Sequence, residues 1–165
     1  MDPDVSLVLD FLNTRDVEAG TDVLRGERDW EAWAAARGLT ADPLPEAVRA
    51  REALRAATGD READGDTAPA VHISVRASPS VDGVVFEAYT AVAAVYAAAA
   101  RLTALGEWGR VKICPADDCR WAFHDRSRNR SRTWCSMRVC GNRQKARAFR
   151  QRSTPSTTHM EQSCG

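Results

Sequence analysis

Four cysteines fall in the pattern Cys114-x4-Cys119-x15-Cys135-x4-Cys140, and no other feature restricts the fold of this chain as strongly. Each close pair can form a tight turn with its two sulfurs about 3.7 Å apart, and the intervening loop can bring the pairs together around one ion. Four thiolates complete a tetrahedral Zn²⁺ shell and leave no position for water, so a site of this kind is structural and not catalytic. Two disulfides, four unrelated core cysteines or an iron–sulfur cluster are the other arrangements that the spacing admits. His124 lies between the pairs and is surplus to a four-cysteine shell. Cys164 has no nearby partner and is expected to be a free thiol, while His72 and His159 are expected to be ordinary residues.

The charge distribution sets this segment apart. The chain of 165 residues has a formal net charge of zero, but residues 1–109 hold 10 Lys/Arg against 19 Asp/Glu. Residues 110–152 hold 13 against 3. A zinc ion held by a set of four thiolates carries −2 in total, so the asymmetry survives metal binding. An acidic body joined to a basic C-terminal module points to a nucleic-acid contact confined to one end. Apolar residues make up 44% of the chain, enough for a real core. The longest apolar run, AVAAVYAAAA at 91–100, is about half the length of a membrane span, and the opening MDPDVSLVLD is acidic where a secretory signal is basic. A soluble, cytoplasmic and nucleoid-associated protein is expected.

Periodicity predicts an α+β fold: a mostly helical N-terminal domain with one β-hairpin, over 1–109, then a four-cysteine zinc-finger module over 110–152 and a disordered tail over 153–165. Asp2 and Pro3 suit the start of a first helix with Val5, Val8, Leu9 and Leu12 on one face. A second helix runs from Glu27 to Arg37, with Trp30, Trp33 and Ala34 aligned and a Schellman ending at Gly38 and Leu39. A third starts near Pro43 and carries Leu44, Val48 and Leu54. The acidic stretch 59–70 reads as a loop, VHISVRA at 71–77 and VVFEA as the strands of a hairpin, and SPSVDG as its turn. Residues 87–105 form the strongest helix, with Tyr89, Val92, Val95, Tyr96, Ala99, Leu102 and Leu105 at helical spacing. RVKIC is expected to be a short strand leading into the first cysteine pair.

The arginines form two sets. In RSRNRSRT, Arg126, Arg128, Arg130 and Arg132 occupy every second position, so an extended backbone would aim all four guanidinium groups one way, as a phosphate backbone requires. After Cys140, Arg143, Arg147 and Arg150 share one face of a predicted helix that also carries Lys145. Asn142 is placed as its cap, and Ala146 and Phe149 are placed against the metal module. The competing reading is that these cations only solvate the surface or pair with the acidic body. Trp121, Phe123 and Trp134 flank the row and are expected to form the small core over the metal.

The stretch CRWAFHDRSRNRSRTWCSMRVCGNRQKAR at 119–147 resembles the CGNR zinc-finger family, named for the tetrapeptide found here at 140–143. LDFLNTRD at 9–16 is similar to the start of the ABATE domain that precedes this finger in that family, whose members are described as stress-induced transcription regulators. The resemblance implies that Cys114, Cys119, Cys135 and Cys140 bind one zinc ion, that the finger binds DNA, and that the N-terminal domain senses a ligand or stress signal.

The function expected from these features is that of a zinc-dependent DNA-binding transcriptional regulator and not an enzyme. Its contacts are Arg126, Arg128, Arg130, Arg132, Asn142, Arg143, Lys145, Arg147 and Arg150, with one or two of Arg143, Lys145 and Arg147 at base edges. An RNA- or protein-interaction module is the alternative, and a homodimer would raise the affinity of so small a finger. Asp10, Asn13 and Arg15 are candidates to line a pocket for a small-molecule effector, although capping and solvating a helix end is their plainer role. An enzyme is disfavoured by the absence of a glycine-rich phosphate loop, an HExxH motif or a nucleophile signature.

Overall fold

The computed structural model describes residues 2–63, 70–81 and 83–153; the predicted disordered tail beyond Ser153, the middle of the acidic loop, Asp82 in the predicted turn, His159 and Cys164 lie outside them. The elements in chain order are α1 (Pro3–Leu12), β1 (Arg15–Asp16), β2 (Thr21–Asp22), α2 (Glu27–Ala35), α3 (Leu44–Ala57), β3 (Arg76–Ser80), β4 (Gly83–Glu87), α4 (Ala91–Ala104), β5 (Val111–Ile113), β6 (Ala122–His124) and α5 (Asn142–Ser153). Helices with three separate two-stranded antiparallel sheets make this an α+β fold.

Helix α1 starts where the Asp2 carboxylate accepts from the Asp4 and Val5 amides, with Pro3 in the first turn. Its apolar stripe, Val5, Val8, Leu9 and Leu12, packs on the α4 stripe of Val92, Val95, Ala99 and Leu102, and the alanines of α4 let the helices approach closely. Phe11, Trp30 and Trp33 close the other side, with ring centroids 5.2–6.0 Å apart. Helix α2 ends as its sequence predicts: Gly38 takes φ +69°, its amide donates to Ala35 O, and the Leu39 amide donates to Ala34 O.

Two predicted boundaries shift. Residues 71–75 lie outside any strand and pairing begins at Arg76, so RASPS, and not VHISVRA, pairs with GVVFE. Ser78, Pro79 and Ser80, predicted to turn, are part of β3. The alternation that suggested a strand is real, but it serves packing without a ladder: Val71 rests on the main core, and Ile73 and Val75 face α4. Helix α4 begins at Ala91 and not near Glu87, because Thr90 caps it and a backbone bridge between Thr40 and Thr90 ties off its entrance. Tyr89 and Leu105 therefore fall outside the helix and are exposed.

Among the described residues three arginines are buried, each with compensation. Arg51 forms a two-pronged pair with Asp22 and donates to Thr14 Oγ1. The fully buried Arg55 donates Nε to Asp60 at 2.7 Å, Nη1 to Leu12 O and Nη2 to Arg120 O. Arg120, from the first cysteine turn, donates Nε and Nη2 to the other Asp60 oxygen at 3.0 and 2.7 Å and also pairs with Glu62. Burial works against the charged Arg55 and lowers its pKa, and Asp60 opposes that. Asp60→Ala would leave two buried guanidinium groups without their carboxylate. A loss of about 3–5 kcal/mol is expected in urea unfolding followed by tryptophan fluorescence.

Candidate metal centre and basic surface

The two cysteine turns are built differently. Strands β5 and β6 pair from Val111↔His124 to Ile113↔Ala122, which places Cys114 and Cys119 at the mouth of a hairpin. The turn between them is closed by the Cys119 and Arg120 amides donating to Ala116 O, with Arg120 in the left-handed region at φ +52°. Cys135 precedes a single π-helical turn, Met137–Gly141, that delivers Cys140 and runs on into α5. The Ser136 side chain accepts from the Val139 amide and opens that turn.

The four sulfurs lie within 4.8 Å of one another, with Cys119–Cys135 at 3.5 Å and Cys135–Cys140 at 3.6 Å. A tetrahedron with Zn–S of about 2.3 Å has edges of about 3.8 Å, so these separations fit one ion. None of the four is in a disulfide. Cys114, Cys119 and Cys140 are buried with Phe123 and Ala116 in a small core of their own, separate from the main one, and Trp134 half covers it. The donor chemistry fits as well. Burial disfavours the Cys114 thiolate, but amides of Cys135 and Ala116 donate to it and outweigh burial, lowering its pKa. Burial pushes the Cys119 thiol up to about 12 and Cys135 higher still. Zinc must therefore displace protons from these thiols when it binds.

Each letter of the CGNR tetrapeptide has a structural duty. Cys140 is a ligand. Gly141 is buried, and a Cβ there would collide with Met137 Sδ and approach Trp134 Cδ1 to 3.2 Å. Asn142 does not cap α5, since the helix continues out of the π turn; its side-chain amide donates to Arg138 O at 3.1 Å. Arg143 bonds Asp118 and Glu18, and Arg147 also reaches Asp118, each at 2.8–2.9 Å. The Arg143 guanidinium holds the Asp118 carboxyl below the usual range. Ala146 and Phe149 are exposed and do not cover the metal core.

The alternating arginines are not in an extended row. Residues 127–130 turn, with Arg130 left-handed at φ +53°, around the fully buried Asp125. Its carboxylate accepts from Lys112 Nζ at 2.7 Å and from the Ser127 and Arg132 amides. Burial opposes ionisation, yet these donors hold the carboxyl well below the usual range. Asp125 thus adds stability that is present above about pH 4 and is lost as pH falls toward its depressed pKa. Lys112 Nζ also donates to Arg130 O and Arg132 O. Arg132 folds back on Trp134 O, Cys135 O and the Phe123 ring, whereas Arg126 and Arg128 project outward. Arg130 is half exposed, 3.9 Å from Glu107.

Asp10, Asn13 and Arg15 separate. Asp10 pairs with Arg37 and Arg15 lies 3.8 Å from Glu52. Asn13 clasps the finger: its Nδ2 donates to Ala122 O and its Oδ1 accepts from the Ala122 amide. Asp10 and Asn13, with Trp121, His124, Arg126 and Arg132, line a groove of about 350 Å³ between α1 and the finger, and Arg15 is not part of it. The His124 ring faces Glu107 at 3.5 Å and stands apart from the sulfurs. Sequence reasoning missed Asp118, Asp125 and Lys112. Of these, Asp125 carried a local sign, because Asp-x-Ser favours the turn in which the carboxylate accepts from the amide two residues on.

No helix is long and apolar enough to cross a membrane among the described residues. A search of curated proteins gives no match to the chain. Zinc binding should strengthen by at least tenfold per pH unit near neutrality, read by competition with a chromophoric chelator, because at least one thiol proton leaves per ion. Cys135→Ser should reduce tightly held zinc from one ion per chain to a small fraction of that. Residues 110–153 match the CGNR zinc finger family model, and with their four thiols spaced for one tetrahedral ion they form a zinc finger domain that holds a single structural zinc.

Proposed function

We propose that the chain is a zinc-dependent DNA-binding regulator of transcription whose finger grips the phosphate backbone. The observation that carries this reading is the surplus of unpartnered cations. Arg126, Arg128, Arg138 and Lys145 are exposed and have no acidic partner among the described residues. Two of the three acids in the finger are committed to other cations, Asp125 to Lys112 and Asp118 to Arg143 and Arg147. Zinc and Asp125 supply the rigid frame, and the loop and the start of α5 present the charges. Within this reading Arg143 and Arg147 act mainly by seating α5, and Asn142 by bracing its first turn.

The resemblance of residues 9–16 to an ABATE opening adds a sensing role for the N-terminal half under stress. The groove beside Asp10 and Asn13 is where a small effector would touch both halves at once. Trp121 is 38% exposed at that groove and favours a second reading, in which unpaired bases of a single strand stack on it.

The test is fluorescence anisotropy of the zinc-loaded chain with mixed-sequence duplex across a salt series. Four phosphate contacts predict a log–log slope of about −3.6, and Arg126→Ala with Arg128→Ala should bring it to about −1.8 and weaken binding to all sequences alike. Absence of duplex binding at low salt would overturn the DNA reading, and preference for a single strand would favour the second.

A further inference from the structure

The β3–β4 hairpin has two unlike faces. Its register sets Ala77 opposite Phe86 and Pro79 opposite Val84, so these four side chains share one face. The other face carries Arg76, Ser78, Ser80 and Glu87 with the single apolar residue Val85. A two-faced hairpin of this kind is built to bury its apolar side. That side is open: Val84 is 60% and Phe86 51% exposed. Phe86 instead overhangs a groove of about 320 Å³ whose floor is the alanine stripe of α4, Ala97, Ala100 and Ala104, and whose wall is Ile73 and Val75.

We infer that this face is a self-association surface, on which a second copy of the chain docks by a twofold axis. Three observations select a second copy. A twofold contact requires one patch to be its own complement, and here a projecting aromatic, Phe86, stands beside an apolar groove that can receive the same side chain from the partner. The charges near the patch are kept off it: Arg101 is held by Asp4 in a two-pronged bridge, and Arg76 and Glu87 lie on the other face of the hairpin, with Arg76 over the Tyr89 ring, so apposition brings no unmatched charge into contact. Ile73, Val75, Val84 and Phe86, each 37–60% exposed, lie together on this face, and a contiguous open apolar patch of that kind marks a contact surface that a twofold axis would cover on both copies at once. A hairpin of two strands is also marginal alone and gains most from such cover. This inference is independent of the nucleic-acid reading, since the patch lies on the N-terminal half and its test contains no DNA.

Sedimentation velocity of the zinc-loaded full chain over 5–500 µM is the experiment, with those concentrations chosen to span about micromolar to millimolar affinity. The expected mass rises toward twice 18.1 kDa with concentration. Phe86→Glu on the hairpin and, separately, Ala100→Glu on the helix floor should each hold the chain at 18.1 kDa, with circular dichroism and zinc content unchanged. Ala100→Glu guards against a misfolded hairpin variant, because glutamate is a good helix former at an exposed site. A wild-type mass that stays at 18.1 kDa throughout, or a dimer that survives both substitutions, overturns the proposal.

Discussion

Asp60 stands between two guanidinium groups that lie 65 residues apart in the sequence, Arg55 of α3 and Arg120 of the first cysteine turn. All three are buried, so none can be satisfied by water, and each is tolerable only while the other two are in place. The remaining Arg55 donors reach Leu12 O at the end of α1 and Arg120 O beside Cys119. One carboxylate therefore fixes the end of α1, the end of α3 and the metal-binding turn relative to one another. The left-handed backbone of Arg120 belongs to the same arrangement, since the turn that frames Cys119 also aims this guanidinium inward.

Around that junction the finger divides its cations into two kinds. Lys112, Arg132, Arg143 and Arg147 are consumed in holding the loop and α5 to the metal core, through carbonyls, Asp125 and Asp118. Arg126, Arg128, Arg138 and Lys145 are left over. A high positive charge by itself does not separate these groups. The separation comes from where two aspartates of the module, Asp118 and Asp125, fall.

Local signals were legible in the sequence, and distant partnerships were not. The Asp2–Pro3 start of α1, the Schellman end of α2 and the cysteine spacing each depend on residues within a few positions, and each reads directly. The burial of Arg51, Arg55 and Arg120 depends on partners up to 65 residues away, so nothing near them marks them as interior. The arginine alternation at 126–132 implied an extended row because period two is the strand period. One buried aspartate at its start draws three donors inward and curls the segment instead. The hairpin is legible but its register is not: the alternation of Val71, Ile73 and Val75 is answered by packing on the helices, and no strand lies beside it to form a ladder.

The clasp between Asn13 and Ala122 joins residues 109 apart, and the Arg55–Arg120 link spans 65. A ribosome delivers α1 and α3 long before it delivers the turn that receives them. Until then Arg55 lacks one of its acceptors and Asp60 one of its two cations, and the last face of α1 has nothing to hold. Contacts of such separation close slowly, so the seam between the first helices and the finger is the last part of this architecture that the growing chain can complete.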